Sequence, residues 1–198
     1  LSGPSFAREV AEKHPTAVVI ASADAESARS IQHLVSNIHF RAYTSDDVAG
    51  VELAGALKNV IAVACGISDA LRFGHNTRAA LITRGIAEMT RLGLKLGAKK
   101  ETFLGLAGIG DLVLTCTARL SRNYHVGYEL GRGRPLAEIL AETRMVAEGV
   151  TTTMSVRDLA HREEVEMPIS NEVYRILYKG KNPQESLGEL MLRTLKGE

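Results

Sequence analysis

The longest periodic run in the chain covers Gly50 to Leu71, GVELAGALKNVIAVACGISDAL. Apolar residues recur at helical spacing through Val51, Ala54, Leu57, Ile61, Ala64 and Cys65, which predicts one long, mostly apolar helix. A single cation, Lys58, interrupts it. Before this run the pattern alternates between helix and strand. Ser5 to Lys13 predict a first helix, opened by Gly3-Pro4 with proline at an early helical position and closed at His14-Pro15. Thr16 to Ala21 (TAVVIA) is β-branched and apolar and reads as a short buried strand. Asp24 is expected to cap a helix running to about Ser36, with Ala28, Ile31, Leu34 and Val35 on its apolar face. His39 to Thr44 predict a second strand. Two strands and a helix are too few for a stable sheet alone and read as the trailing edge of an α/β sheet.

Beyond Thr44 every segment is helical in period. Thr44 and Asp47 have capping-box spacing, with Asp in place of the preferred Glu. Asn76 to Leu96 form the next helix, with Ala79, Ile82, Ile86, Met89 and Leu96 apolar and Arg84 and Glu88 spaced for an i,i+4 pair. A short helix over Lys100 to Leu106 leads to a turn at Gly108-Ile109-Gly110. Further helices are expected to start near Asp111, Ser121, Pro135, Gly149 and Pro168. The last opens with Asn182-Pro183-Gln184-Glu185, a cap, an N1 proline and an N3 glutamate. The expected fold class is mainly α, with a small α/β piece over residues 1–44 and an all-helical unit over residues 45–198.

Composition narrows the function. Hydrophobic residues make up 45% of 198, enough for a substantial core. A net charge of +1 argues against a nucleic-acid surface or a polybasic membrane anchor. Aromatics at 5% and no Trp argue against base stacking. Cys65 and Cys116 lie far apart in apolar runs and suit reduced thiols of a cytosolic protein. The histidines show no metal-ligand spacing, so no metal is expected. No signal peptide is read, and no apolar run is read as long enough to span a membrane. The chain opens at Leu1-Ser2-Gly3-Pro4, without Met, and is read as a fragment.

Lys58 admits two readings. Ala54, Gly55 and Ala62 lie one helical turn away, and small neighbours leave an ammonium partly desolvated and ready to exchange a proton. Alternatively Lys58 snorkels from a core helix to water. Asn59 adds a neutral amide beside it. Gly108-Ile109-Gly110 is not a dinucleotide fingerprint, because no strand precedes it and Val113 stands at the third glycine position. Asp111 then starts a helix, as a plain N-cap or as an active carboxylate, with Thr115 one turn along. At Ser121-Arg122-Asn123 a helix start would offer free backbone amides and a guanidinium suited to phosphate, or merely a capping serine and two solvated residues. Gly3-Pro4-Ser5 is a second turn into a helix N-terminus. Glu148-Gly149 is a cap, or a carboxylate that holds ribose hydroxyls. No G-x-S-x-G and no cysteine–histidine signature supports a covalent hydrolase.

Taken together, G-P-S-F-A (Gly3 to Ala7), G-A-L-K-N-V (Gly55 to Val60), N-T-R-A-A-L-I-T-R-G (Asn76 to Gly85), G-x-G-D-L-x-L-T-C (Gly108 to Cys116) and S-R-N (Ser121 to Asn123) carry a resemblance. The chain resembles the C-terminal part of the bacterial-type NAD(P)-dependent sn-glycerol-3-phosphate dehydrogenase family, over nearly its whole length. The resemblance implies that residues 1–44 are the end of a Rossmann-type dinucleotide-binding domain and residues 45–198 the helical substrate domain. It implies interconversion of dihydroxyacetone phosphate and sn-glycerol 3-phosphate with NAD(P)H, supplying glycerol 3-phosphate for phospholipid synthesis. A cytoplasmic homodimer is implied, and the fragment alone is expected to be inactive.

By the same resemblance, Lys58 is the catalytic lysine and Asn59, Asp111 and Thr115 support it, with Asp111 pairing with Lys58. Gly3, Ser5, Lys58, Asp111, Ser121, Arg122 and Asn123 match substrate contacts, Arg122 and Asn123 towards the phosphate. Ala7, Arg122, Val146 and Glu148 match positions that touch the dinucleotide. Ser5 stands where many relatives have threonine. Sister hydroxyacid dehydrogenases resemble a K-x-x-N pattern, whereas here Asn59 adjoins Lys58 and Ile61 lies one turn on. A helical interaction module without chemistry is the alternative of a different class.

Overall fold

The longest helix, α3 (Val48–Ala70), is the axis on which the other helices pack. It is apolar on nearly all sides, and a helix of that kind must be surrounded. Leu57, Val60, Ile61, Val63 and Cys65 are each at most 2% exposed. In the computed structural model, which describes residues 1–142, 147–195 and 197, α3 is preceded by α1 (Ala7–Ala11), β1 (Thr16–Ala21), α2 (Ala25–Val35) and β2 (Phe40–Ser45). It is followed by α4 (Gly74–Lys95), α5 (Lys100–Leu104), a π-helical turn (Leu106–Gly110) and α6 (Asp111–Thr117). Then come α7 (Arg122–Gly131), α8 (Leu136–Glu142), α9 (Glu148–Arg162), α10 (Pro168–Lys179) and α11 (Pro183–Met191). α4, α6, α7, α9 and α10 all touch α3.

The closest of these contacts is with α7. A Cβ on Gly66 would fall 2.1 Å from the Tyr124 carbonyl oxygen, and one on Gly127 would fall 2.1 Å from the Val63 carbonyl oxygen. Each helix therefore presents a glycine to the other's backbone, and no side chain separates them at these two points. The approach fixes α7 on α3 with little room to slide.

β1 and β2 pair in parallel from Thr16↔Phe40 to Ala21↔Ser45, with α2 as the crossover. Val18, Ile20, Ala28 and Ala42 form their small core. Ser2 pairs with Val19 on the other side of β1 through two backbone hydrogen bonds of 2.9 and 2.7 Å.

Several local expectations change. Ser2 is held in extended pairing and Gly3 takes φ +136°, so helix begins only at Ala7 and Pro4 is not helical. Thr44 lies in β2; Asp47 itself caps α3, accepting from the Gly50 amide at 3.0 Å. Ile31 and Leu34 are 45% and 83% exposed, not buried with Ala28. Gly108 to Gly110 are not a turn but part of the π-helical segment, which runs directly into α6. Glu88, spaced for an i,i+4 pair with Arg84, is 3% exposed and accepts from the Ile169 amide at 2.6 Å and the Ser170 amide at 3.2 Å at the start of α10. α3 has 23 residues and an 18-residue stretch of mean hydropathy 1.6, so by length and composition it is long and apolar enough to cross a bilayer, contrary to the expectation from sequence. Here its apolar surface is spent on the other helices.

Candidate functional site

The cation in the middle of α3 does not run out to water. Lys58 Nζ meets Asp111 Oδ2, and the two side chains are 19% and 6% exposed. Asp111 is the first residue of α6, and its side chain turns to Lys58 and makes no cap bond. The π-helical turn just before it sets this register: the Gly110 amide reaches back to the Gly105 carbonyl at 3.2 Å, a wider turn than an α-helix makes. Gly108 permits that turn, because a Cβ there would fall 2.1 Å from the Phe103 carbonyl oxygen. One turn further, the Thr115 hydroxyl lies 2.6 Å from the Asp111 carbonyl oxygen and 3.3 Å from Asp111 Oδ1. The carboxylate is thus held from two sides.

Asn59 and Asn123 form a second, buried unit of the same cleft. Asn123 Nδ2 donates to Asn59 Oδ1 at 2.9 Å, and Asn123 Oδ1 accepts from the Gly149 amide at 2.8 Å. This bridge ties α3, α7 and the start of α9 together. Asn123, expected towards the phosphate, lines the cleft while its side-chain amide also bonds Asn59 and Gly149. Its backbone amide and that of Arg122 sit in the first turn of α7, where an α-helix supplies no acceptor. Ser121 caps this helix, its hydroxyl accepting from the Tyr124 amide at 3.3 Å, so the plain capping role is real.

A cleft of about 260 Å³ opens over these groups. Lys58, Asn59, Asp111 and Thr115 line it from one side, and Ser121, Arg122 and Asn123 from another. Gly3, Ser5 and Glu148 complete the polar wall. The Ser5 hydroxyl donates to the Gly3 carbonyl at 3.0 Å. A Cβ on Gly3 would fall 3.1 Å from Val18 Cα, so this segment lies directly on β1. Ala7 does not line the cleft, its place being taken by Phe6. Val146 lies outside the described residues. Phe6, Gly55, Leu114 and Leu120 also line the cleft without having been expected as site residues; Phe6, Gly55 and Leu114 lie within the G-P-S-F-A, G-A-L-K-N-V and G-x-G-D-L-x-L-T-C matches, whereas nothing marked Leu120.

The donor set fits a small polar anion better than an apolar ligand. One end offers the Lys58 ammonium with its carboxylate. The other offers the α7 N-terminus and a guanidinium, an arrangement that binds phosphate. Glu148, the first residue of α9, brings a carboxylate to the same wall, suited to accepting from sugar hydroxyls. Among the described residues no group of three His, Cys, Asp or Glu side chains is arranged to hold a metal ion. Cys65 and Cys116 are free and buried, and the Cys116 thiol is pushed well above its ordinary pKa by its contact with Cys65 and by burial.

Comparison with known proteins gives a consistent result. Residues 47–188 match the family described as NAD-dependent glycerol-3-phosphate dehydrogenase C-terminus, and residues 1–28 match the corresponding N-terminus family. The chain is 61% identical over all 198 residues to a glycerol-3-phosphate dehydrogenase [NAD(P)+] of Syntrophobacter fumaroxidans and covers 58% of it. It is 62% identical to the protein of that name from Geobacter sulfurreducens and covers 59% of it. The crystal structure of glycerol-3-phosphate dehydrogenase from Coxiella burnetii superposes with a TM-score of 0.94 at 46% identity, over 97% of this chain and 59% of that one. The chain therefore spans somewhat under two thirds of the length of the curated relatives it matches.

Proposed function

Because this chain belongs to the NAD-dependent glycerol-3-phosphate dehydrogenase family, we propose that it is the substrate-binding and catalytic part of an oxidoreductase that interconverts dihydroxyacetone phosphate and sn-glycerol 3-phosphate with NAD(P)H. The observation that carries this reading is the Lys58–Asp111 ion pair on the wall of a polar cleft that also holds the start of α7. The cleft's size agrees, since about 260 Å³ lies just below the usual range for drug-sized ligands and suits a phosphorylated three-carbon molecule.

In this mechanism the phosphate sits at Arg122 and the amides of the first turn of α7, which orients the ketone towards Lys58. NAD(P)H, when bound, supplies the hydride that the carbonyl carbon takes up. The Lys58 ammonium neutralises the charge that develops on the carbonyl oxygen and transfers a proton to it. In the reverse direction the neutral amine takes the proton of the substrate hydroxyl. Asp111 aims the ammonium, and Thr115 holds Asp111. Asn59 and Asn123, bonded to each other, brace the wall of the cleft. Of the residues present, Arg122 and Glu148 fit the cofactor, a guanidinium for its phosphates and a carboxylate for its hydroxyls; Ala7 and Val146 are assigned to it on the resemblance alone. The division into residues 1–44 of the dinucleotide-binding domain and residues 45–198 of the substrate domain follows the same reading. So do the cytoplasmic homodimer and the supply of glycerol 3-phosphate for phospholipid synthesis, whose support is family membership.

The test is oxidation of NADH and NADPH with dihydroxyacetone phosphate, by this chain joined to the N-terminal segment its relatives carry, beside a Lys58→Ala variant. Turnover that needs the phosphate group and falls in the variant by about 10³-fold is expected for loss of the proton-transferring group. A folded protein without turnover refutes the reaction, and undiminished turnover in the variant removes Lys58 from it.

A further inference from the structure

The last turn of α3 carries a second acidic anchor. Asp69, 8% exposed at its side chain, accepts from Arg78 Nε at 3.0 Å and Nη2 at 2.5 Å. Its Oδ2 also accepts from the Tyr124 hydroxyl at 2.6 Å. The guanidinium comes from α4 and the phenol from α7, so three helices meet at one carboxylate. The fork-to-fork geometry with Arg78 leaves the carboxylate a single orientation. Burial and the bond to Asp69 push the Tyr124 phenol up to about 12, so it stays a donor across the working range of pH.

Two relations connect this anchor to the cleft. Tyr124 follows directly on Ser121-Arg122-Asn123, and its own amide is the one that Ser121 caps. Its carbonyl oxygen lies against Gly66, where a Cβ would come within 2.1 Å. Tyr124 is therefore held at its backbone by a close approach and at its tip by Asp69. Secondly, Lys58, Ala62, Cys65 and Asp69 fall on one stripe of α3. Eleven residues make three turns, so Asp69 lies on the Lys58 face roughly 16 Å along the axis. One rigid helix thus carries both the ammonium and the carboxylate that holds the other side of the cleft.

We propose that Asp69, oriented by Arg78, is a positioning residue that binds the Tyr124 hydroxyl and so sets the distance between Lys58 and the anion seat at the start of α7. It touches neither substrate nor cofactor and acts through Tyr124. The assignment rests on the function proposed above. Its effect belongs to the anion-binding end of the cleft and not to proton transfer, so the two kinetic constants separate.

The experiment uses the chain joined to the N-terminal segment of its relatives, with Asp69→Asn and Tyr124→Phe variants. Two readouts are taken: KM and kcat for dihydroxyacetone phosphate, and calorimetric binding of inorganic phosphate. For Asp69→Asn, a rise in KM of roughly tenfold with kcat within about threefold is expected, as for a lost orienting contact. The phosphate dissociation constant rises by a similar factor. Tyr124→Phe keeps the ring and removes only the hydroxyl, so it reproduces the direction of both changes and decides the matter should Asp69→Asn fail to fold. Unchanged KM and unchanged phosphate binding in a folded variant overturn the assignment, as does a fall in kcat alone. Phosphate binding is read without turnover, so a protein that binds phosphate yet does not reduce the ketone refutes the reaction while still testing Asp69.

Discussion

Lys58 on α3 and Asp111 at the start of α6 form an ion pair across 53 residues of sequence, with both side chains largely out of water. Removing one partner strands the other charge. Lys58→Met is expected to lower stability by about 3 kcal/mol, as for other broken buried pairs. Adding Asp111→Leu is expected to recover much of that loss, because no unpaired charge then remains. Denaturant unfolding of the single and double variants measures both. A double variant no more stable than the single would show that the cost is packing and not charge.

Asp111→Asn keeps the shape of the side chain and removes its charge. Turnover is expected to fall and its pH profile to change, since the ammonium loses the group that aims it. If both stayed as in the parent protein, Asp111 would have no part in the proton transfer.

Glu88 makes stability depend on pH. Burial, only partly offset by the bonds from Ile169 and Ser170, pushes its pKa up from 4.5 to about 6. The folded protein therefore holds this proton when the unfolded chain has released it. Stability is expected to be greatest below about 4.5 for this group, to fall by about 2 kcal/mol as pH rises towards 6, and to stay level above that. Glu88→Gln retains an acceptor for the α10 amides and cannot titrate, so the slope between those values should shrink by that amount. Equal slopes in thermal unfolding of parent and variant would exclude Glu88 as its source.

Gly127→Ala would drive a methyl group into the Val63 backbone, where only 2.1 Å is available. Neither helix backbone can yield without moving the other, so a loss of about 2–3 kcal/mol is expected. Because Lys58 rides on α3 and Arg122 on α7, kcat/KM should fall as well. Tm and kinetics on the same preparation separate the two effects.

Among the described residues the buried hydroxyls of Ser68 and Ser186 have no hydrogen-bond partner, and both line a narrow apolar cavity between α3, α4, α10 and α11. A buried polar group without a partner costs stability, so Ser186→Ala is expected to leave stability unchanged or raise it by up to about 1 kcal/mol. A marked loss on calorimetric unfolding would mean that the hydroxyl is satisfied in solution.

The sequence alone determined the long apolar helix, the helical pattern after Thr44 and the proline starts of α10 and α11. These depend on periodicity and on local caps, which act within a few residues. It also singled out Lys58, Asp111 and the Ser121-Arg122-Asn123 stretch, because charge inside an apolar run and short polar groups at helix starts stand out locally. Which alternative each one took was decided only by tertiary structure. Asp111 serves Lys58 and not its own helix, through a π-helical turn that no residue pattern announced. Asn123 braces Asn59 and Gly149, and Glu88 turns inward to cap α10. Asp69 lay in the long apolar run and Arg78 within the N-T-R-A-A-L-I-T-R-G match, but nothing in the sequence joined them to each other or to Tyr124, because they belong to three different helices. Their meeting follows from how closely α7 lies on α3, and that depends on two glycines whose missing side chains have meaning only once the helices are packed together.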